Sequence, residues 1–150
     1  MELILWRHTQ ALELQPGQSD SARQLTAKGQ KQAKLMAQWL RAHIPHDSRI
    51  LASPATRTTQ TADALKLPYS IVDALAPDST AEELLRVAQW PSAPLTTILV
   101  GHQPYLGNLA SLLISGTKQD WNIKKGAVWW ISVLSRNTAN LNAVINPALL

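Results

Sequence analysis

Three short apolar runs in this chain each stop at a basic or imidazole side chain, and that repeated ending restricts what the chain can fold into. Glu2-Leu3-Ile4-Leu5-Trp6 runs into Arg7-His8-Thr9, Arg49-Ile50-Leu51-Ala52 into Ser53-Pro54-Ala55-Thr56-Arg57, and Thr96-Thr97-Ile98-Leu99-Val100 into Gly101-His102-Gln103-Pro104. Apolar runs of this length bounded by turn residues read as strands, and helical spacing fills the stretches between them, which is the alternation of an α/β domain. In an open α/β sheet, ligands bind beyond the carboxyl ends of the parallel strands. A single domain over residues 1–150 is therefore expected, with a mostly parallel central sheet, helices on both faces, and His8, Arg57 and His102 brought to one crevice.

The element boundaries follow from caps and breakers. After a polar loop from about Ala11 to Gln24, Thr26 reads as the N-cap of a helix with Leu35, Met36, Trp39 and Leu40 at helical spacing, stopped by Ile44-Pro45. Ser53 reads as a cap and Pro54 as the first residue of a second helix reaching about Leu65, which places Arg57 in a first turn, where free N–H groups favour an anion. Tyr69-Ser70-Ile71-Val72 reads as a short strand, Ser79-Thr80-Ala81-Glu82 as a capping box opening a helix toward Trp90, and Pro104 as the start of a helix ending near Ser115-Gly116. Ala127 to Leu134 and Leu141 to Ile145, separated by Ser135-Arg136-Asn137-Thr138, read as a late antiparallel pair. Trp129 and Trp130 then face opposite sides of the sheet, both filling core, and Trp6 packs under the site floor.

Composition narrows the functional classes. With 45% hydrophobic residues in 150, the chain can bury a core without staples. It has no cysteine, which excludes a disulfide framework and a thiolate zinc site, so a reducing compartment and no metal or cofactor are expected. No apolar run reaches the roughly 18 residues that span a bilayer, and the first residues do not resemble a leader, so a cytoplasmic protein without a membrane partner is expected, working as a monomer. The net charge of +4 and pI near 9.7 invite a nucleic-acid reading. The placement of the charges argues against it: Lys28, Lys31 and Lys34 share one helix and Lys124-Lys125 stand apart, with no ladder of aromatics beside them.

Two imidazoles and two guanidiniums in one crevice suit a phosphoryl group. A neutral imidazole is a competent nucleophile toward phosphorus, so His8 is the candidate nucleophile, forming a covalent phosphohistidine. Arg7 and Arg57 are placed to clamp the phosphoryl oxygens by charge-assisted hydrogen bonds, and His102 to donate to the same oxygens. The guanidinium field is expected to keep His8 unprotonated at neutral pH. His43 and His46, flanking Pro45 at a helix end, are given no catalytic role.

Read together, these motifs resemble the histidine phosphatase superfamily, of phosphoglycerate mutase-like fold, and within it the small branch of SixA-type phosphohistidine phosphatases. The family's Arg-His-Gly is matched by Arg7-His8-Thr9, its Asp-x-x-Arg by Asp20-Ser21-Ala22-Arg23, and its Leu-Thr-x-x-Gly by Leu25-Thr26-Ala27-Lys28-Gly29. Ser-Pro-x-x-Arg-x-x-Gln-Thr-Ala recurs as Ser53 to Ala62, and Gly-His-x-Pro as Gly101 to Pro104, all in family order. The resemblance implies a three-layer α/β/α sandwich, a metal-independent phosphatase phosphorylated on His8, and phosphate binding by Arg7, Arg57 and His102. Thr9 replaces the family glycine, and its backbone N–H is expected to stay usable toward substrate.

A general acid is harder to find. Asp20, Asp73 and Asp78 are candidates without an acid motif around them, and each reads better as a solvated carboxylate or cap than as an acid; Asp20 has Arg23 as a simple partner. A weak acid favours a P–N substrate, because imidazole leaves as a neutral base whereas an alkoxide needs a proton. A phosphohistidine-bearing protein domain is therefore the expected substrate. The alternatives are a small-molecule phosphomonoester, or a phosphate-binding regulatory module without turnover.

Overall fold

The computed structural model describes residues 1–135 and 138–150. Its frame is a six-stranded sheet in the order β3-β2-β4-β1-β5-β6. The strands are β1 (Glu2–Arg7), β2 (Arg49–Ala52), β3 (Ser70–Ile71), β4 (Thr97–Gly101), β5 (Val128–Ser135) and β6 (Thr138–Ile145). The first four run parallel, and β5 and β6 join antiparallel. Among the described residues the α-helices are α1 (Ala27–His43), α2 (Thr56–Asp63), α3 (Ala81–Ala88) and α4 (Tyr105–Ser115).

Successive strand residues point to opposite faces, and the core divides accordingly. Ile4 and Trp6 of β1, with Ile98 and Val100 of β4, pack against Met36, Ala37 and Leu40 of α1 and Ala62 of α2. Leu3, Leu5 and Leu99 face the other way, onto Leu84 and Ala88 of α3 and Leu106, Leu109 and Ala110 of α4. The result is the expected three-layer sandwich. Central strands covered on both faces are apolar without alternation, and every residue of β4 is buried.

Several boundaries move from expectation. Thr26 caps α1, its hydroxyl accepting from the Gly29 N–H at 2.9 Å, but the buried stripe is Gly29, Ala33, Met36, Ala37 and Leu40, leaving Leu35 exposed. Helix α2 begins at Thr56 rather than Pro54, with Ala55 at the cap position and no side-chain cap; Arg57 still lies in its first turn. The α3 cap is Thr80, not Ser79, and its hydroxyl accepts from Glu83 N–H, so the box is shifted by one residue and the helix stops at Ala88. Helix α4 starts after Pro104 and ends at Ser115, with Gly116 at φ +80° closing it. Strand β6 begins at Thr138, and of the expected connection Arg136 and Asn137 lie outside the described residues. Trp129 and Trp130 pack on the two opposite core faces, and Trp6 is fully buried, its indole N–H donating to Gly126 O at 3.1 Å.

Candidate active site

Strand order creates the site. β4 lies between β2 and β1, with Arg7 opposite Gly101 and Ala52 opposite Val100. The next residues along each strand, His8, His102 and Ser53, therefore emerge side by side at the carboxyl edge. The ladder continues one step past the strands, His8 N–H donating to Gly101 O at 3.1 Å and Ser53 N–H to Val100 O at 3.0 Å. The His8 and His102 rings stand 5.2 Å apart, tilted by 55°. Arg57 enters from the first turn of α2, and Arg7 ends β1 itself. His8, Arg57 and His102 are 6%, 4% and 2% exposed, so the expected cluster is assembled and largely removed from water.

Hydrogen bonds fix how these groups present themselves. His8 Nδ1 lies 2.7 Å from Thr9 O. A carbonyl only accepts, so Nδ1 carries the proton and Nε2 keeps its lone pair. His102 Nε2 pairs with Ser53 Oγ at 2.7 Å, leaving Nδ1 buried without a partner. Arg7 Nη1 donates to Ile123 O at 2.8 Å, and Arg57 donates from Nη1 to Asp20 O at 2.9 Å and from Nη2 to Asp20 Oδ2 at 3.0 Å. In both arginines Nε is buried and unpartnered. Buried donors are nearly always satisfied in folded proteins, and three unpartnered buried nitrogens, on Arg7, Arg57 and His102, suit an anionic oxygen-rich ligand.

Burial is the largest cause pushing the His8 imidazole down to about 3, opposed by the bond to Thr9 O and reinforced by Arg57, Arg7 and Lys125. His102 is likewise lowered to about 3, by burial first and then by His8 and Arg57, with Asp20 acting in the opposite direction. The guanidinium field thus acts in the expected direction, but desolvation outweighs it. Both rings are neutral at physiological pH. Lys125, of the basic pair that stands apart from the helix lysines, acts on His8 from the loop that also holds Gly126, whose N–H donates to the Arg7 and His8 carbonyls.

Thr9 departs from expectation. Its N–H donates to Thr61 Oγ1 at 3.2 Å and its hydroxyl to Gly29 O at 2.7 Å, so neither donor is free for substrate, and the side chain is fully buried. Its φ lies outside the left-handed region, so a β-carbon is accommodated without strain. Two family glycines are explained by close approach instead. A β-carbon on Gly29 would lie 2.0 Å from Gln10 O, and one on Gly101 would lie 2.3 Å from the Tyr105 hydroxyl.

Of the candidate acids, Asp73 follows β3 and Asp78 precedes α3, both exposed and neither bonded to a site residue. Asp20 is different. Besides its expected pair with Arg23 at 2.9 Å, it holds Arg57, a contact sequence reasoning missed because the loop's path over the site is set by tertiary packing. Although partial burial raises its carboxyl, Arg57 and Arg23 together hold it below the usual carboxylate range. At neutral pH it is an anion, not a proton donor.

The family model for the histidine phosphatase superfamily (branch 1) matches residues 3–76. The Escherichia coli phosphohistidine phosphatase SixA is 31% identical over 124 residues, covering 77% of this chain and 76% of that protein. An uncharacterized Picosynechococcus protein is 36% identical over 136 residues, covering 85% and 82%. Among solved structures, SixA complexed with tungstate superposes with a TM-score of 0.79 at 24% identity over 99% of each chain. A SixA-type protein from Agrobacterium tumefaciens gives 0.82 at 22% identity over 97% of each. The order of the motifs, the sheet and these relatives agree: the chain belongs to the histidine phosphatase superfamily, in its SixA-like branch, and is a phosphatase.

Proposed function

We propose that this phosphatase hydrolyses phosphohistidine on a protein, through a phosphoryl group carried by His8 Nε2. The observation that carries the reading is the bond from His8 Nδ1 to Thr9 O, which leaves a neutral nucleophilic nitrogen in a ring of cationic and donor groups. The Nε2 lone pair attacks phosphorus while the P–N bond of the substrate breaks, its electron pair going to the departing imidazole. Arg7, Arg57 and a ring N–H of His102 hold the phosphoryl oxygens, where transition-state charge is spread. Water then adds to phosphorus, the electron pair of the Nε2–P bond returns to His8, and dihydrogen phosphate leaves with both protons of that water.

The substrate class rests on what surrounds this cluster. An ester would need a proton on its alkoxide, and the carboxylate nearest the site, Asp20, is ionised. The loop bearing Asp20 is tied to the site by the bonds of Asp20 to Arg57, and it also exposes Leu12 and Leu14, with Arg23 donating to Asp20 and Leu12 O inside the loop. Exposed apolar side chains on a loop that bonds a site residue suit a protein surface better than a small polar ester. The E. coli relative is a phosphohistidine phosphatase, which favours the same class.

The test is to incubate the protein briefly with a phosphohistidine-bearing protein labelled in its phosphoryl group, in the presence of chelator, and to quench without acid. One label per chain, stable to alkali and lost in acid, is expected on His8. His8→Ala should abolish both trapping and turnover, while His102→Ala should still trap label slowly. Label on His102 with His8 dispensable would overturn the assignment.

A further inference from the structure

Asp20 bridges two arginines at the mouth of the site. Its Oδ2 and backbone carbonyl take both Nη groups of Arg57, and its Oδ1 takes Nε of Arg23. Yet its side chain remains 50% exposed, while Arg57 beneath it is 5% exposed. A carboxylate has about four lone-pair sites, and only two of those on Asp20 are used by the arginines. Arg23 donates in addition to Leu12 O at 3.0 Å, so the carboxylate is fixed in place rather than swinging freely.

In-line displacement puts the leaving group opposite the nucleophile across phosphorus. With His8 on the buried side, the departing group lies toward the opening, the side on which the half-exposed Asp20 stands over the buried Arg57. Asp20 also acts electrostatically on His102, which places it within the field of the reacting groups. A fixed anion there discriminates between leaving groups by charge. A phosphorylated imidazole whose second nitrogen is protonated departs as neutral imidazole, retaining that N–H and requiring no further proton. The same ring without that proton would have to leave as imidazolate. An ester offers the anion no N–H and develops negative charge on its leaving oxygen.

Resting on the reading above, we propose that Asp20 is the residue that selects a phosphorylated imidazole over a phosphate ester, accepting the N–H of the leaving ring and holding that ring in its protonated form. Its bonds to Arg57 and Arg23 position the carboxylate for this and keep it charged. The pairing also explains why an Asp-x-x-Arg element accompanies a site already supplied with cations: Arg23 anchors the anion that Arg57 alone would hold against the phosphate.

The test compares kcat/KM of the wild type, Asp20→Asn and Asp20→Glu on a chemically phosphorylated histidine peptide and on p-nitrophenyl phosphate. A hydrogen bond to a charged acceptor is lost in Asp20→Asn, so the ratio of peptide to ester activity should fall about ten- to a hundredfold. The alkaline limb of the peptide pH profile should move to lower pH, since the ring then loses its proton more readily. Asp20→Glu should restore part of the ratio. An equal loss on both substrates, or an unchanged ratio with an unmoved alkaline limb, would overturn the proposal, leaving Asp20 a support for Arg57 only. Failure of the underlying reading is distinguishable, since the wild type itself would then leave the phosphohistidine peptide uncleaved.

Discussion

Arg57 is buried to 4% exposure, its Nη groups are engaged by Asp20, and its Nε has no partner. A guanidinium so fixed loses little freedom when it meets a phosphoryl oxygen. Replacing it by Ala should lower turnover about ten- to a hundredfold, the worth of one charge-assisted hydrogen bond. The same change leaves Asp20 with Arg23 alone, so rescue of turnover by Lys should be partial: Lys keeps the charge but not the fork. Wild-type turnover in Arg57→Ala would contradict the convergent site. At this scale the sequence was highly legible for residues placed by strand ends, since His8 and His102 follow apolar runs that could only be strands. It was less legible for groups placed by tertiary approach. Thr9 looked like a residue with a free N–H, but its bonds run to Thr61 on α2 and Gly29 on α1, more than a turn of chain away and invisible to local pattern.

The elements carry the site through a few close approaches. Gly29 on α1 lets Gln10 O approach to where a β-carbon would stand, 2.0 Å away, and its own carbonyl accepts the Thr9 hydroxyl. Gly29→Ala should therefore push α1 from the loop that follows His8, destabilising the fold by about 1–3 kcal/mol, the usual cost of overpacking. Turnover should fall with it at temperatures where the protein remains folded, because Thr9 O is the acceptor that sets the His8 tautomer. Thermal melting together with turnover measured well below the midpoint checks this; a melting temperature unchanged by the substitution would show that the contact yields freely. Helix α1 was legible because its cap, period and Ile44-Pro45 stop agree. The start of α2 was not: Ser53-Pro54 looks like a cap and first turn, but Ser53 Oγ is drawn to His102 at 2.7 Å, and the helix begins only at Thr56. A local cap signal gave way to a long-range polar contact.

For the whole molecule, the two-sided core could be inferred from β1, whose Leu3 and Leu5 face one layer and Ile4 and Trp6 the other. The placement of β4 between β2 and β1 could not, because sheet order is decided by long-range packing and not by any segment's own pattern. That placement buries two imidazoles against each other, and stability must follow pH in consequence. His8 and His102 are both lowered to about 3 from an ordinary value near 6.5. Between those values the unfolded chain binds protons that the folded chain refuses, so the folded state is fully favoured above about pH 6.5 and loses stability as pH falls toward 3. Asp20, also lowered, adds to the loss in the carboxylate range. The two rings titrate as a coupled pair, the first proton opposing the second. The urea midpoint should accordingly decline from pH 7.5 to pH 5, before most carboxylates take up protons. In a His8→Asn, His102→Asn double variant, that part of the decline should flatten while the loss below about pH 4.5 persists, since the lowered Asp20 carboxyl is still present. A wild-type midpoint equal at pH 7.5 and pH 5 would mean that the histidines are as easily protonated folded as unfolded, and the neutral nucleophile would lose its physical basis.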